Sequence, residues 1–386
     1  MKPTFLVAFG KGKDTIRRLV DFVRLQARLE ANKPTFSKFL GMSLSENDKG
    51  CGSVREDLFS FHRGQDEQKQ SLVFRYRFPS HHRWKHLDPT IDGPSLSTYT
   101  SILDDVTTLA IISQAAKHPR PGVSVSMQSQ WGPGAQKLLQ QPQTLLEEVD
   151  IVTTITKKGR TLGFVRAEVR DPSNQNATIC YFDHVKYLPT GWVLGIILSP
   201  FGMWCLNLFL RYLAPYFHSK NSSSSISNTE ENYKGIMDSY QQTSDTQATF
   251  RFGQQHSNGM GGLHGGVQAI LMERFGKQVA QKEIRKLVGS SNSSSRSSQR
   301  VECERLQVSY QSSASKFLEL RAYVIDPPRP DRLSVTLRIE ILRDRKKGSS
   351  NTSSNTAGKA KPSKPTVVVS EGILTFGIAS LKPKDH

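Results

Sequence analysis

The chain has 386 residues, enough for two ordinary domains with a core each, and 36% apolar residues with a mean hydropathy of −0.45 suit a globular protein with polar insertions. Cys51, Cys180, Cys205 and Cys303 are scattered, with no CxxC and no His/Cys cluster, which excludes a disulfide framework or structural zinc and points to a reducing, intracellular compartment. The net charge of +18 favours a polyanionic partner, but it is spread rather than set in an aromatic-interleaved stripe, so no nucleic acid partner is expected.

Residues 1–65 read as a basic extension, amphipathic in its second part and without a signal-peptide core or cleavage site. It suits either a mitochondrial presequence, against which Asp14 and Asp21 count, or a helix packed on the first half of the chain. Residues 66–190 hold a strand at 71–77, a loop and a helix at 97–117. Strands follow at 122–131, 146–157, 160–171 and 177–188. Residues 191–247 combine the hydrophobic run 192–210 with a Ser/Asn/Thr-rich linker, 219–247, expected to lack fixed structure. Residues 248–386 repeat the first order: strand 248–254, helix 265–287, then strands 300–310, 316–325, 333–343 and 366–378. Two low-complexity insertions, 290–299 and 346–365, fall in its loops.

One strand, one long helix and four antiparallel strands, twice over, is an α+β layout. The first helix is apolar almost all round (Tyr99, Ile102, Leu103, Val106, Leu109, Ala110), so it should be buried and wrapped by its own sheet. An acid in such a helix stands out. Asp104 shares a side with Thr100, Thr108 and Ile111, and partial burial is expected to raise its pKa. Asp105 points elsewhere and is the second choice.

Several segments resemble the small acyl-CoA thioesterases of the hotdog superfamily, of the eukaryotic thioesterase-superfamily-member type. They are His256-Ser257-Asn258 with Gly261-Gly262-Leu263-His264-Gly265-Gly266, Leu103-Asp104-Asp105-Val106-Thr107, and Pro121-Gly122-Val123-Ser124. The stretches 158–164 and 184–188 extend the likeness. The resemblance implies two tandem hotdog half-domains, each a sheet around a central helix, acting as a pseudo-dimer and open to further homo-oligomer formation. It implies an enzyme of lipid metabolism that hydrolyses acyl-CoA to free acid and coenzyme A with no metal or other cofactor.

In that family the site forms across the subunit interface. Here its parts are divided: Asp104 and Ser124 in the first half, Asn258, His264, Gly265 and Gly266 in the second. Ser95-Leu96-Ser97 stands where the first half should have glycines, and Glu273, 169 residues after Asp104, stands where the second should have its aspartate, with Glu302 matching Ser124. One composite site is expected to be complete.

The chemistry suits these residue types. A helix N-terminus offers unpaired N–H groups, and Gly265 lets the backbone approach a thioester oxygen as an oxyanion donor. Asp104 would act as base on water or attack directly, while Ser124 and Asn258 orient water or substrate. His264, Gly266 and Thr108 line the substrate, and the resemblance implies that His184 and Lys186 sit at the mouth and meet coenzyme A phosphates. Each has a plainer alternative: a solvent-facing Asp, a structural His264, a helix-start turn, a tolerated strand serine, a solvated strand end at His184 and Lys186, and Glu273 as an ion-pair partner.

The run 192–210, with Trp192, Trp204 and Tyr212, fits either an interfacial membrane anchor or a buried connector; a full span would part the two halves of one site. The resulting expectation is a double-hotdog acyl-CoA thioesterase. A non-catalytic acyl-CoA-binding or scaffold protein on the same fold is the alternative.

Overall fold

The computed structural model describes residues 35–40, 62–63, 71–78, 87, 94–113, 122–140, 146, 148–188, 202, 205, 208, 235–258, 261–288, 300–344 and 366–378. The run 192–210, apart from Gly202, Cys205 and Leu208, and the insertions 290–299 and 346–365 lie outside them. So does the N-terminal extension, apart from 35–40 and 62–63. Among the described residues no helix is long and apolar enough to cross a membrane.

The first half contains β1 (His62–Arg63), β2 (Ser71–Arg77), helix α1 (Leu96–Ser113), β3 (Val123–Trp131), β4 (Glu148–Lys158), β5 (Leu162–Asp171) and β6 (Asn174–Tyr187). The second contains β7 (Gln241–Gln242), β8 (Gln247–Arg251), helix α2 (Gly265–Val288), β9 (Val301–Tyr310), β10 (Phe317–Asp326), β11 (Ser334–Asp344) and β12 (Thr366–Ile378). These strands join one sheet in the order β1-β2-β4-β5-β6-β3-β9-β12-β11-β10-β8-β7. The order 2-4-5-6-3 on one side and 8-10-11-12-9 on the other is the same topology used twice, which the repeated pattern of elements predicts. Leu96 and Gly265, the first residues of the two helices, stand the same 169 positions apart as Asp104 and Glu273.

The halves join where β3 meets β9 antiparallel, from Ser126 opposite Ser309 to Gln130 opposite Arg305. Trp131 donates its indole N–H across this seam to the Cys303 carbonyl at 2.8 Å. The helices pack on the same face and touch each other. One apolar core therefore runs through both halves instead of one core per half, with Leu103, Met127, Val267, Met272 and Leu306 in a single cluster.

Helix α1 is buried at every position except Asp105 and Thr108. Its many hydroxyls satisfy themselves locally. Thr100, Ser101, Thr107 and Thr108 each donate to the carbonyl four residues back, at 2.6–2.8 Å, so burying them leaves no hydroxyl proton unpaired. A helix can then be buried against a sheet although seven of its 18 residues are Ser or Thr.

Two expectations change. The linker does not run unstructured to residue 247: Gly235–Ser239 forms a turn that buries Ile236 and Met237, and β7 pairs with β8. Its apolar residues Ile236 and Met237 supply that burial. The strand expected at 248–254 ends at Arg251, and Gln254–His256 forms a 3-10 turn, capped where the Gly253 N–H donates to His256 Nδ1 at 2.8 Å. A short helical segment at Phe36–Phe39 straps the halves together. The Phe36 N–H donates to the Ser257 carbonyl at 2.9 Å, and Tyr76 donates to Leu40 O at 2.6 Å.

Candidate active site

Asp104 projects from the middle of α1 with its side chain 8% exposed. Its two oxygens differ. Oδ1 faces the first half, where it accepts the Ser124 hydroxyl at 2.8 Å and the Lys186 ammonium at 3.1 Å. Lys186 also donates to Ser124 Oγ at 3.2 Å. The register explains this meeting: Ser124 on β3 lies opposite Lys186 on β6, and His184, two residues earlier on β6, points to the same helix-covered face. Oδ2 faces the second half and accepts no hydrogen bond from the described residues.

Burial acts to raise the Asp104 pKa, as expected from the sequence, but it does not prevail. Lys186, then His184, His264 and the Ser124 hydroxyl, hold the carboxyl well below the usual carboxylate range. The expectation of a raised pKa fails because the helix pattern could not reveal an ammonium 82 residues away.

The second half brings its helix start to Oδ2. A Cβ added at Gly265 would stand 2.7 Å from Asp104 Oδ2 and 3.0 Å from the Tyr310 hydroxyl, and one at Gly266 would lie 2.5 Å from Ser101 Cβ. The glycines are thus required by close approach, not by backbone angle. The Gly265 N–H meets no acceptor among the described residues, as befits the first turn of a helix. Tyr310, on β9, was not foreseen; it donates to Gly265 O at 3.0 Å and so pins the helix start. No motif marks it, since its place follows only from the seam between β3 and β9.

His264 locks this start to the first half. The Gly266 N–H donates to Nδ1 at 2.9 Å, which makes the ring an Nε2–H tautomer, and Nε2 donates to Asp105 Oδ1 at 3.1 Å. Burial opposes a charge on this ring, but Asp105, followed by Asp104, draws the pKa upward; the donated Gly266 N–H assigns the neutral form shown by the geometry. Asp105, the second choice, is therefore the partner of a cross-half strut. The Phe36 ring packs 5.1 Å from His264.

The structure does not bring every expected residue to Asp104. The Asn258 side chain accepts the Gly262 N–H at 3.0 Å within its own loop. The Thr108 hydroxyl turns back to the Asp104 carbonyl. His184 and Lys186, expected at the mouth, are 1% and 2% exposed and belong to the interior. Their strand end carries them under the helix, where the ammonium is bound by the Asp104 charge.

The related position in the second half is built differently. Glu273, 4% exposed, reaches the start of α1 and accepts the Ser97 N–H at 2.6 Å. Burial pushes its carboxyl up, and the Ser97 contacts offset part of that. Lys277 lies 3.5 Å from Glu302, which is also paired with Arg300. A cavity of about 10 Å³ remains beside Ser97, Thr98, Glu273 and Lys277, room for about one water. No group of three or more His, Cys, Asp or Glu able to hold a metal occurs among the described residues.

No family model and no curated protein matches the chain. Solved structures of hotdog-fold proteins and thioesterases superpose on it at low identity. A tesB protein from Mycobacterium avium subsp. paratuberculosis is 9% identical, covers 83% of this chain and 96% of its own, and has a TM-score of 0.41. A conserved protein of unknown function with a hot dog fold, from Alicyclobacillus acidocaldarius, is 7% identical over 84% of this chain and 98% of its own, with a TM-score of 0.40. A 12:0-ACP thioesterase from Umbellularia californica is 9% identical over 79% and 94%, with a TM-score of 0.38.

Proposed function

We propose that the chain is a tandem double-hotdog acyl-CoA thioesterase with one composite active site between its halves. One observation carries this reading: Asp104 Oδ2, without a hydrogen bond among the described residues, faces the glycine start of α2 at the distance where a Gly265 side chain would collide with it. A thioester carbonyl seated there would put its oxygen on the Gly265 N–H and its carbon within reach of a nucleophile held by Oδ2. Ser124 and Lys186 keep that carboxylate oriented and ionised from behind. His264 and Tyr310 hold the helix start in place. The related position at Glu273 is built as a cap, because its carboxylate accepts the Ser97 N–H, the counterpart of the Gly266 N–H, at the start of α1.

The test is thiol release from a panel of acyl-CoA esters. Asp104→Asn should lower kcat/KM by about 10³-fold or more, and Glu273→Gln should leave it within about threefold, since only the first touches the reacting atoms. Equal loss in both variants would sink the single-site reading. Binding of acyl-CoA without turnover would make the chain a binding protein on the same fold.

A further inference from the structure

A second oxygen stands beside Asp104 Oδ2 at the start of α2. A Cβ added at Gly265 would lie 2.7 Å from Oδ2 and 3.0 Å from the Tyr310 hydroxyl, so the two oxygens are no further apart than one water can span. The hydroxyl has a single proton, which goes to the Gly265 carbonyl at 3.0 Å; Met127 Sδ, at 3.8 Å, is a weak acceptor. The hydroxyl lone pairs receive no hydrogen bond from the described residues, and neither does Oδ2. Two acceptors thus flank Gly265, and water offers a proton to each.

The counterpart position in the repeat lacks this acceptor. Gln128 pairs with Gln307 at the middle of the seam between β3 and β9, which makes Trp131 and Tyr310, each three residues further along its strand, related positions. An indole N–H is a donor only, and Trp131 commits it to the Cys303 carbonyl at 2.8 Å. The hydroxyl therefore goes with the carboxylate that stays open, and the indole with the one that caps a helix. Tyr310 is half-buried, so a small molecule at the start of α2 can reach its oxygen. Burial, followed by the Asp104 charge, pushes the phenol well above its ordinary pKa, so it remains a neutral acceptor.

We propose that Tyr310 binds the attacking water together with Asp104, with one proton of the water on Oδ2 and the other on the phenol oxygen. The assignment rests on the thioesterase reading above. With both protons held, a lone pair of the water is left to point at the carbonyl carbon, whose oxygen lies on the Gly265 N–H. As the new C–O bond forms, the carbonyl electron pair moves onto oxygen and the proton on Oδ2 passes to that carboxylate. Collapse re-forms the carbonyl and breaks the C–S bond, and the same proton goes to sulfur, giving free acid and thiol. The second proton stays on the former water oxygen, hydrogen-bonded to Tyr310, and leaves with the acid.

The experiment measures both products, free acid and methyl ester, as wild type and Tyr310→Phe turn over acyl-CoA in water containing methanol. Methanol has one proton for Oδ2 and a methyl group where water presents its second proton, so the Tyr310 hydroxyl should disfavour it. Tyr310→Phe deletes that acceptor and makes room for the methyl group. Hydrolysis should fall by about tenfold, the worth of one hydrogen bond, and the ester-to-acid ratio should rise by about the same factor. If Tyr310 does no more than pin the helix start, both reactions fall together. An unchanged ratio, or no ester from either enzyme, therefore overturns the proposal. The ratio is read from whatever enzyme is active, and Tyr310→Leu supplies it if Tyr310→Phe does not fold. A wild type inert towards every thioester overturns the thioesterase reading itself, before any variant is made.

Discussion

At the start of α2 the second backbone N–H, of Gly266, is taken by His264, and Asp104 Oδ2 accepts no hydrogen bond among the described residues; at the start of α1 the corresponding N–H, of Ser97, is taken by the facing carboxylate of Glu273 at 2.6 Å. The two positions are related by the repeat, and they differ in two small ways. Glutamate is one methylene longer than aspartate. Glycines stand at the first start, Leu96 and Ser97 at the second. Together these turn the same arrangement into an open site on one side and a helix cap on the other. A carboxylate at a helix N-terminus is stabilising by itself; the site with Asp104 forgoes that hydrogen bond and instead binds its anion to Lys186 and Ser124 from behind. In the second half the longer side chain instead satisfies the helix end of the first.

The comparison can be broken most strongly at Lys186. Lys186→Met should leave Asp104 as an uncompensated buried charge and destabilise the fold by about 3–5 kcal/mol in denaturant unfolding, and a loss below about 1 kcal/mol would show the pair to be solvated. Gly265→Ala comes next. Its methyl group meets Asp104 Oδ2 and the Tyr310 hydroxyl, so carboxylate or helix start must shift, and kcat/KM should fall by about 10²–10³-fold. Restoring both glycines at the other start, Leu96→Gly with Ser97→Gly, should confer no second site, because Glu273 still binds the N–H of residue 97 and caps that helix start.

The smallest expected effect is on pH-dependent stability. His184 is neutral when folded and has its pKa lowered, so the unfolded chain binds more protons below the ordinary histidine value. This contribution is therefore present above about pH 6.5 and is lost as the pH falls, with a limiting slope of about 1.4 kcal/mol per pH unit. The difference in unfolding free energy between wild type and His184→Asn should shrink on acidification from pH 7 to 5. A difference independent of pH would mean that His184 is not held neutral. Asp104, whose pKa is lowered too, keeps its contribution down to acid pH and does not interfere in that window.

Much of the fold was legible because periodicity is local. The alternation in 71–77, 300–310 and 366–378 marks strands that the structure places within a residue or two, and the near-continuous apolar character of α1 announces its burial. The repeat offset, read from Asp104 and Glu273, returns as the offset of the two helix starts. Asp104, Ser124, Gly265 and Gly266 could be named from motif likeness because each sits on an element whose position the pattern defines. The role of Lys186 could not be read, since a lysine near a strand end is ordinarily solvated; only the β3–β6 register puts it opposite Ser124 and beneath α1. Tyr310 and the Asp105–His264 strut likewise depend on contacts between residues far apart in the chain, as does Glu273 on Ser97. The sign of the Asp104 pKa shift follows from such a contact: burial is foreseeable from a helical wheel, but the charge that outweighs it comes from another strand. Composition and spacing thus settled which elements exist and which residue types they carry. Sheet register and the packing of two helices settled which carboxylate stays open and which becomes a cap, because a hydrogen bond is made or lost over less than the length of one methylene group.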